Sequence, residues 1–496
     1  MLGQERNKWI ARIVLCISVV LCLILFVQDR SLLLDSLNVA RNIGERSFAE
    51  LINPLSYEQS APLLFLWVSK LFTLVLGISH YSLRLLPLLA GIISLFLFAD
   101  ISKKVLEFPF SLIALFWFGT HQLVARYATE YKQYMVDVFA SLLIIWIVLQ
   151  IIEINKQNWW KLALGGVIIS WLSMPSIFVL ISALLYYTII HLRKGGSISP
   201  ILWVTGFVGL SFLANYHIML KPTIGSTHMQ DFHNSFFLEG KVYDLDALTH
   251  DFGLIIGQAR MLVGKSGLAI AAVLFSIAMS TLISIKQKRY EIILFGLPIV
   301  GAFGASLIGK YSILERLMLF SLPLALLLVM IGLEHVFQNA RLKKAYLSRI
   351  ILGVVSLGLL IGFYEKQSFK YVFNPFEHED NRSSLLYIAH HPEHERYIVC
   401  TQHAVPAYDY YMHHAANYKN LDVGPMRPSE YNTDIKASVL KVLNQEEKVW
   451  ILANHYHEYE IENLITDLSE VATIENSYRA KSSVAIIISK KGSPNK

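Results

Sequence analysis

Charged residues are scarce in this chain. Asp, Glu, Lys and Arg make up only 16% of its 496 residues, whereas 54% are hydrophobic. The mean hydropathy is +0.47. A soluble fold of this length needs more polar surface than these residues can supply. The composition therefore excludes an ordinary soluble protein and predicts a polytopic membrane protein.

Cysteine and metal-binding motifs are also scarce. Cys16, Cys22 and Cys400 have no metal-ligand spacing, and the first two lie in an apolar run. The histidines in and beside the interval 220–262 show no strong zinc spacing such as HExxH; they are His217, His228, His233 and His250. We therefore predict no disulfide framework, no metal site and no required cofactor, and treat a divalent metal as optional.

The net charge of +6 could suggest nucleic acid, but the positions of the basic residues do not. They cluster in short intervals between apolar runs, a pattern that sets the orientation of membrane proteins. These intervals are 6–12, 103–104, 193–194, 286–289 and 341–344. We therefore expect no nucleic-acid partner. Because no small-residue cleavage site follows Phe26, we also expect the first apolar run to stay uncleaved.

Apolar runs continue to residue 364, and most approach the length of about 20 residues that crosses a bilayer. We predict about 11–12 membrane helices, near 9–27, 61–79, 83–101, 105–124, 134–152, 160–173, 175–192, 200–219, 265–285, 291–308, 316–335 and 349–364. If the basic intervals are cytoplasmic, the intervals 28–60, 125–133 and 220–262 lie on the outer side. Residues 1–364 then form one transmembrane domain.

The two apolar runs between residues 61 and 101 conflict with this orientation. The interval 28–60 is placed outside and Lys103 inside, so an odd number of crossings must separate them. Either one run is re-entrant or lies along the interface, or Lys103 and Lys104 give the wrong side. The sequence alone leaves these alternatives open.

The character of the chain changes after residue 364. Residues 365–496 are charged and contain short apolar runs typical of buried strands, at 397–400, 449–453 and 484–488. Helix-like stretches at 434–444 and 458–469 separate them. We predict a small, soluble α/β domain on the extracytoplasmic face.

The first outer interval carries a candidate catalytic acid, Asp35. A carboxylate at the outer interface can take a proton from an acceptor hydroxyl or amine. The alternative is that Asp35 caps a helix beginning at Ser36, since Asp is a common helix N-cap. The spacing alone leaves both interpretations open.

The second outer interval crowds polar and ionisable residues between two apolar runs. Its candidate site residues are Arg126, Glu130, Lys132, Tyr134 and Asp137. Asp137 falls inside the next apolar run, where an unpaired carboxylate is costly, so we expect a partner such as Arg84 or Lys132. Lys132 and Arg126 suit a phosphate group.

A third candidate, Arg316, begins a later apolar run from the outer side. It could clamp a lipid-borne phosphate, or it could simply extend to the lipid headgroups, which is the more common fate of such a residue. The interval 220–262 is long enough to serve as a substrate-covering loop.

Several motifs resemble the bacterial membrane glycosyltransferases of the GT-C superfold. The chain is similar to glycosyltransferase family 39-like proteins, which include protein O-mannosyltransferases and lipid A aminoarabinose transferases. The motifs that carry the resemblance are Asp35, Asn42-Ile43, Pro54-Leu55, Tyr57-x-Gln59-x-Ala61-Pro62, Lys70, Leu83-Arg84-Leu85-Leu86-Pro87, 130–134 and 311–323. They span roughly residues 10–335 and specify the superfamily better than the substrate.

The resemblance implies a function. Such enzymes take a sugar, a hexose or a pentose, from a polyprenyl-phosphate carrier and pass it with inversion to a glycolipid, polysaccharide or protein. They act on the outer face of the bacterial cytoplasmic membrane. The catalytic aspartate of the first outer loop matches Asp35, but the acid that often follows it is replaced by Ser36.

The resemblance also indicates where the carrier phosphate binds. A lysine near the end of the first loop often holds it in aminoarabinose transferases, whereas this chain has Tyr57 and Gln59 there and no lysine. We therefore expect Arg84, Lys132 or Arg316 to hold the phosphate.

Two other functions are compatible with a polytopic membrane protein. A transporter or flippase of lipid-linked sugars would usually show inverted repeats, and we find none in the sequence. A catalytically silent scaffold for envelope polysaccharide assembly is the other alternative, and Ser36 in place of an acid keeps it open.

Overall fold

A computed structural model of the chain describes residues 2–154, 158–224, 227–343, 346–376, 378–418, 421–428 and 435–491. Its α-helices in chain order are α1 (Leu2–Val27), α2 (Leu34–Glu45), α3 (Leu63–Leu76), α4 (His80–Val105), α5 (Phe110–Thr120), α6 (Gln122–Ala128), α7 (Tyr134–Ile154), α8 (Trp159–Leu172), α9 (Ser176–Arg193), α10 (Ser199–Asn215), α11 (Lys221–Ile224), α12 (Thr227–Asn234), α13 (Leu245–Val263), α14 (Gly267–Gln287), α15 (Glu291–Leu307), α16 (Leu322–Lys343), α17 (Tyr346–Lys366), α18 (Lys370–Phe373), α19 (Asn381–Ala389), α20 (Val405–Asp409), α21 (Ile435–Leu443) and α22 (Glu458–Val471). Helices therefore dominate the fold, as predicted.

Each predicted membrane span coincides with helical structure. Among the described residues, seven helical stretches are long and apolar enough to cross a bilayer, and they coincide with most or all of α1, α4, α7, α9, α10, α14 and α16. The predicted span 105–124 is broken, because α5 ends at Thr120 and the side chain of His121 accepts a hydrogen bond from the Leu123 N–H at the start of α6. The predicted multi-pass helical architecture is confirmed.

The chain after α17 forms a five-stranded sheet with flanking helices. The strands are β1 (Ile398–Cys400), β2 (Met426–Pro428), β3 (Lys448–Asn454), β4 (Ala472–Ala480) and β5 (Ser483–Lys490), in the spatial order β2-β1-β3-β5-β4. β1 is parallel to both β2 and β3, whereas β5 is antiparallel to β3 and β4. We call residues 370–491 the cap, and the end of the bundle that carries it the cap end.

The cap matches the predicted α/β architecture. The three predicted strands are β1, β3 and β5, and the helix-like stretches correspond to α21 and α22, although residue 434 lies outside the described part of the chain. The sequence did not predict β2 or β4. The reason is that β2, Met426-Arg427-Pro428, has no apolar run, and β4 is a largely exposed edge strand without a long apolar run.

The helix α3 resolves the conflict over residues 61–101. In its middle, the Lys70 amine donates to the Ile43 carbonyl of α2 at 2.8 Å. Just beyond its end, the Ile78 carbonyl accepts from the Ala416 N–H of the cap at 2.7 Å. Because its middle and its end both contact the cap end, α3 lies along that end and does not cross the bundle. Only α4 crosses, so this interval contributes a single crossing.

Polar and apolar contacts join the cap to α2 and to the end of α1. Arg41 of α2 pairs with Asp409 at 2.6 Å, and Arg382 of the cap pairs with Asp29 at 2.7 Å. One buried apolar cluster continues from α2 into the sheet, and its members include Leu37, Ile43, Tyr411, Trp450 and Ile487. The cap therefore packs directly on the helix that carries Asp35.

Candidate active site

Asp35 lies in the first turn of α2 at the junction of the bundle and the cap. α2 is amphipathic, and its apolar face is buried against the cap end through Leu37, Ala40 and Ile43. The helix begins one residue before Asp35, at Leu34, and its N-cap residue is Leu33. The alternative interpretation, that Asp35 is the N-cap residue of this helix, is therefore wrong.

The side chain of Asp35 is paired with Arg316. Arg316 Nη1 donates to Asp35 Oδ2 at 2.9 Å, across 281 residues of sequence. Arg316 comes directly before the 3₁₀ turn Leu317–Ser321 that leads into α16. Its Nε is buried without a hydrogen-bond partner among the described residues. Arg316 is therefore at the site, as the phosphate-clamp interpretation requires.

Lys132 brings a second cation to the same place. Its side chain is buried, and its Nζ donates to Gln59 Oε1 at 2.9 Å. Burial lowers the pKa of Lys132 to about 8, although the Asp35 carboxylate acts in the opposite direction. The end of the first interval contains no lysine of its own, but Lys132 of the second interval contacts Gln59 at that place.

These two cations set the protonation state of Asp35. Burial alone would raise the pKa of Asp35, but Lys132 and Arg316 outweigh that effect and hold the pKa below its ordinary value. The carboxylate is therefore ionised at neutral pH. In that state it can only accept hydrogen bonds.

Ser36 connects Asp35 to the second interval. Ser36 Oγ is fully buried and donates to Glu130 Oε1 at 3.0 Å. Glu130 is itself buried, and its charge acts on the side chains of Arg30 and Lys132. A second carboxylate therefore lies next to position 36, although it belongs to another part of the chain.

The remaining motif residues of the first interval hold its shape. Tyr57 has a φ of 63°, and its ring stacks under the Arg41 guanidinium at 3.8 Å. Its hydroxyl donates to Glu45, and its carbonyl accepts from the Gln59 amide at 3.1 Å. Asn42 exchanges two hydrogen bonds with the backbone of Ser56. The predicted substrate role of Tyr57 and Gln59 stays a prediction.

Arg84 is deeply buried beneath the site. Its two terminal nitrogens donate to the carbonyls of Arg30 and Ser31, at 2.7 and 3.1 Å. These carbonyls belong to the segment between α1 and α2. The contacts indicate that Arg84 supports this segment, and its predicted contact with the carrier phosphate stays a prediction.

The other residues of the second interval surround the site less directly. Tyr134 packs edge-on against Tyr127 at 5.3 Å, and Arg126 lies over the Tyr127 ring. Asp137 is buried in α7 and forms no ion pair with any described residue, so the expected pairing with Arg84 or Lys132 is wrong. Its Oδ1 also lacks a hydrogen-bond partner there.

The interval 220–262 reaches the site through α12. The Arg316 guanidinium lies 5.8 Å from the centre of the Phe232 ring, and the Arg316 charge acts on His233. The side chain of His228 lies outside the described residues. An apolar ring next to the Asp35–Arg316 pair fits the predicted covering loop, whose movement stays a prediction.

Two cap residues at the site escaped the sequence analysis. Glu379 Oε2 accepts from the N–H of Leu34, the residue before Asp35, at 3.0 Å. Glu379 Oε1 contacts His455 Nδ1 at 2.5 Å. Glu379 and His455 are 76 positions apart and belong to no motif. The only signal for them in the sequence is their residue type, which many other positions share.

Comparisons with known proteins agree with this architecture. Residues 60–218 match the family described as dolichyl-phosphate-mannose-protein mannosyltransferase, about a third of the chain. This interval contains Arg84, Glu130 and Lys132 but neither Asp35 nor Arg316. No curated protein sequence matches the chain.

Solved structures give a match over almost the whole chain. The fold is similar to that of ArnT from Cupriavidus metallidurans bound to undecaprenyl phosphate, with a TM-score of 0.53 at 12% identity, covering 97% of this chain and 98% of that one. The apo form of the same protein gives 0.54 with the same coverage. An oligosaccharyltransferase from Archaeoglobus fulgidus gives only 0.46, at 10% identity over 89% of this chain and 69% of that one.

These findings confirm the predicted resemblance at the level of the fold. The chain has the GT-C fold of the membrane glycosyltransferases, with a small C-terminal sheet region.

Proposed function

We propose that this protein is an inverting glycosyltransferase that moves a sugar from a polyprenyl-phosphate carrier to an acceptor. The observation that carries the proposal is one ionised carboxylate, Asp35, placed beside two cations, Arg316 and Lys132. An inverting displacement needs one base facing the acceptor and fixed positive charge facing the leaving group. The presence of a carboxylate and two cations at one place supports the proposal.

The two cations suit an anionic lipid phosphate. When the bond between the anomeric carbon and the phosphate oxygen breaks, its electron pair stays on that oxygen, and Arg316 and Lys132 stabilise the added charge. Undecaprenyl phosphate is bound in the structure of ArnT, which shares this fold. We therefore propose polyprenyl phosphate as the carrier. The reaction then requires no metal, and a divalent ion stays optional.

Donor binding also prepares Asp35 for catalysis. In the structure Arg316 is paired with Asp35, so an incoming phosphate competes with the carboxylate for the guanidinium. Once Arg316 turns to the phosphate, Asp35 loses a hydrogen-bond donor and becomes a stronger base. Asp35 then accepts the proton of the acceptor while the acceptor oxygen or nitrogen attacks the anomeric carbon.

The proposed location follows from the basic intervals. They support a location of the cap and the site on the outer face of the membrane, which we propose to be the bacterial cytoplasmic membrane. The acceptor is then a glycolipid, polysaccharide or protein of that face, and the transferred group is a hexose or a pentose.

Reconstitution in proteoliposomes tests the proposal against its rivals. The purified protein is given a polyprenyl-phosphate sugar together with extracts of envelope glycolipid, polysaccharide or protein. A glycosyltransferase releases polyprenyl phosphate and labels one acceptor. A flippase moves the intact donor across the bilayer without cleaving it, and a scaffold does neither, so either result contradicts the proposal.

Arg316 provides a first variant. We expect Arg316→Met to lower kcat/KM for the donor by about 10²-fold, the usual size of losing one preorganised charge-stabilising donor. Arg316→Lys should retain part of the activity, because lysine keeps the charge but not the planar fork. Initial rates of polyprenyl-phosphate release measure both variants. Arg260, which is exposed on α13, offers the matched control Arg260→Met. Equal losses in the Arg316→Met and Arg260→Met variants would contradict the assignment.

A further inference from the structure

The residue Glu379 anchors the start of the helix that carries Asp35. Its Oε2 accepts from the Leu34 N–H at 3.0 Å, and the neighbouring Asn381 amide donates to the Leu32 carbonyl at 3.0 Å. The first N–H groups of a helix have no partner within the helix and need an external acceptor. A carboxylate at this position also interacts favourably with the helix dipole. The cap therefore sets the position of the turn that contains Asp35.

The residue His455 lies in a turn at the end of β3 that hydrogen bonds hold on both sides. It follows β3 directly, with a left-handed φ of 64° that non-glycine residues rarely adopt. The residue before it, Asn454, is buried and accepts from the Ser483 hydroxyl at 2.6 Å. The residue after it donates its N–H to the Ser482 carbonyl. The loop is thus held on both sides in a strained conformation, as is common at functional sites.

An anchoring carboxylate at this place creates an electrostatic problem. Glu379 lies next to the first turn of α2, where Asp35 is already negative, and the proposed donor brings a further negative phosphate. Unbalanced, Glu379 would repel both groups. The imidazole of His455 offers the balancing charge, since it contacts the other oxygen of Glu379. Its charge also acts on Asp35.

The protonation states agree with a charged pair. The hydrogen bond to Glu379 raises the pKa of His455, and the Asp35 carboxylate acts in the same direction. Burial alone would raise the pKa of Glu379, but the hydrogen bond to His455 holds it below its ordinary value. Both residues are therefore favoured in their ionised forms.

We propose that Glu379 and His455 of the cap form a positioning pair for the transfer site. Glu379 fixes the first turn of α2, and His455 neutralises Glu379, so that Asp35 stays beside Arg316 and Lys132 without added negative charge. This inference rests on the proposed function. It makes the cap part of the catalytic centre, through residues that need not touch the substrate.

A double-mutant cycle separates charge balance from mere structural support. His455→Asn removes the balancing charge, and asparagine tolerates the left-handed φ at this position. Glu379→Gln removes the charge to be balanced but keeps a carbonyl oxygen for the Leu34 N–H. Transfer rates, binding of polyprenyl phosphate and thermal unfolding are measured for wild type, both single variants and the double variant. His390→Asn, at an exposed histidine of the cap, is the control.

The expected pattern is non-additive. His455→Asn should lower kcat/KM by about tenfold, at the low end for losing a hydrogen bond between charged groups. Glu379→Gln, with or without His455→Asn, should remain within about threefold of wild type, because position 379 then carries no negative charge and His455, no longer held protonated by Glu379, can lose its proton. His390→Asn should match wild type.

Three outcomes overturn the inference. The first is a His455→Asn variant as active as wild type, and the second is a double variant as impaired as His455→Asn or worse, which would indicate a structural role. In both, the wild type still transfers sugar and the proposed function stands. The third is a wild-type protein that transfers no sugar, and the proposed function then fails together with the inference.

Discussion

Replacing Asp35 by asparagine should lower the rate of sugar transfer by about 10²–10⁴-fold, the usual contribution of a positioned general base. Asparagine keeps the size of the side chain but cannot take the proton of the acceptor. Binding of polyprenyl phosphate should change little, or tighten, because Arg316 is released from its ion pair with Asp35. Single-turnover rates and carrier binding are measured on the same preparation.

The control for this variant is Asp246→Asn on α13, where the carboxylate is exposed and forms no ion pair with a described residue. It should transfer sugar at the wild-type rate. An Asp35→Asn variant that transfers sugar as fast as the Asp246→Asn control would contradict the role of Asp35 as base. A variant that loses carrier binding and transfer together would indicate a binding role.

Removing the charge of Lys132 should have an effect as large as removing the charge of Arg316. Lys132→Met should lower kcat/KM for the donor by about 10²-fold, within the range for deleting a buried charged partner of a ligand. The wild type should also show an alkaline limit. Because burial lowers the pKa of Lys132 to about 8, its ammonium form is lost as the pH rises through that value. The proposed donor is a phosphodiester, which does not titrate in this range, so kcat/KM should fall above about pH 8.

Lys132→Arg distinguishes charge from shape. Arginine stays protonated at every pH of the assay, so the alkaline limit should move upward or disappear even if the maximal rate falls. Lys310→Met, at an exposed lysine near the cap end, should keep both the rate and the pH profile of wild type. An unchanged alkaline limit in Lys132→Arg would assign that limit to another group.

Much of the fold could be predicted from the chain because membrane helices have a strong local signature. Long apolar runs locate α4, α7 and α16 without tertiary information. The same signal left the placement of α3 open, since an apolar run along the cap end resembles one that crosses the bundle. Its 14 residues are short for a crossing, and Lys70 in its middle bonds to α2. These two features distinguish α3 from a helix that crosses the bundle.

The members of the site could be predicted better than their contacts. The positions of Asp35, Lys132 and Arg316 stood out as costly charges beside apolar runs. Their mutual arrangement depends on contacts across as many as 281 residues, which no local pattern contains. The failed expectation for Asp137 has the same origin, because the basic residues expected to pair with it turn to carbonyls and to Gln59.

The cap was predicted as a fold but not as part of the site. Glu379 and His455 resemble ordinary surface residues in the sequence, and only the packing of the cap on α2 brings them to Asp35. Similarly, Ser36 seemed to mark a missing acid. The fold instead places Glu130 against its hydroxyl.

The anomeric configuration of the product tests the central claim most directly. The purified protein is given a polyprenyl-phosphate sugar of known configuration and the acceptor identified by reconstitution, and the new linkage is determined by NMR. If Asp35 is the base for the acceptor while Arg316 and Lys132 stabilise the leaving phosphate, the proposed single displacement predicts a product of inverted configuration. A product that retains the configuration of the donor would require a glycosyl-enzyme intermediate or a different site, and would contradict the account.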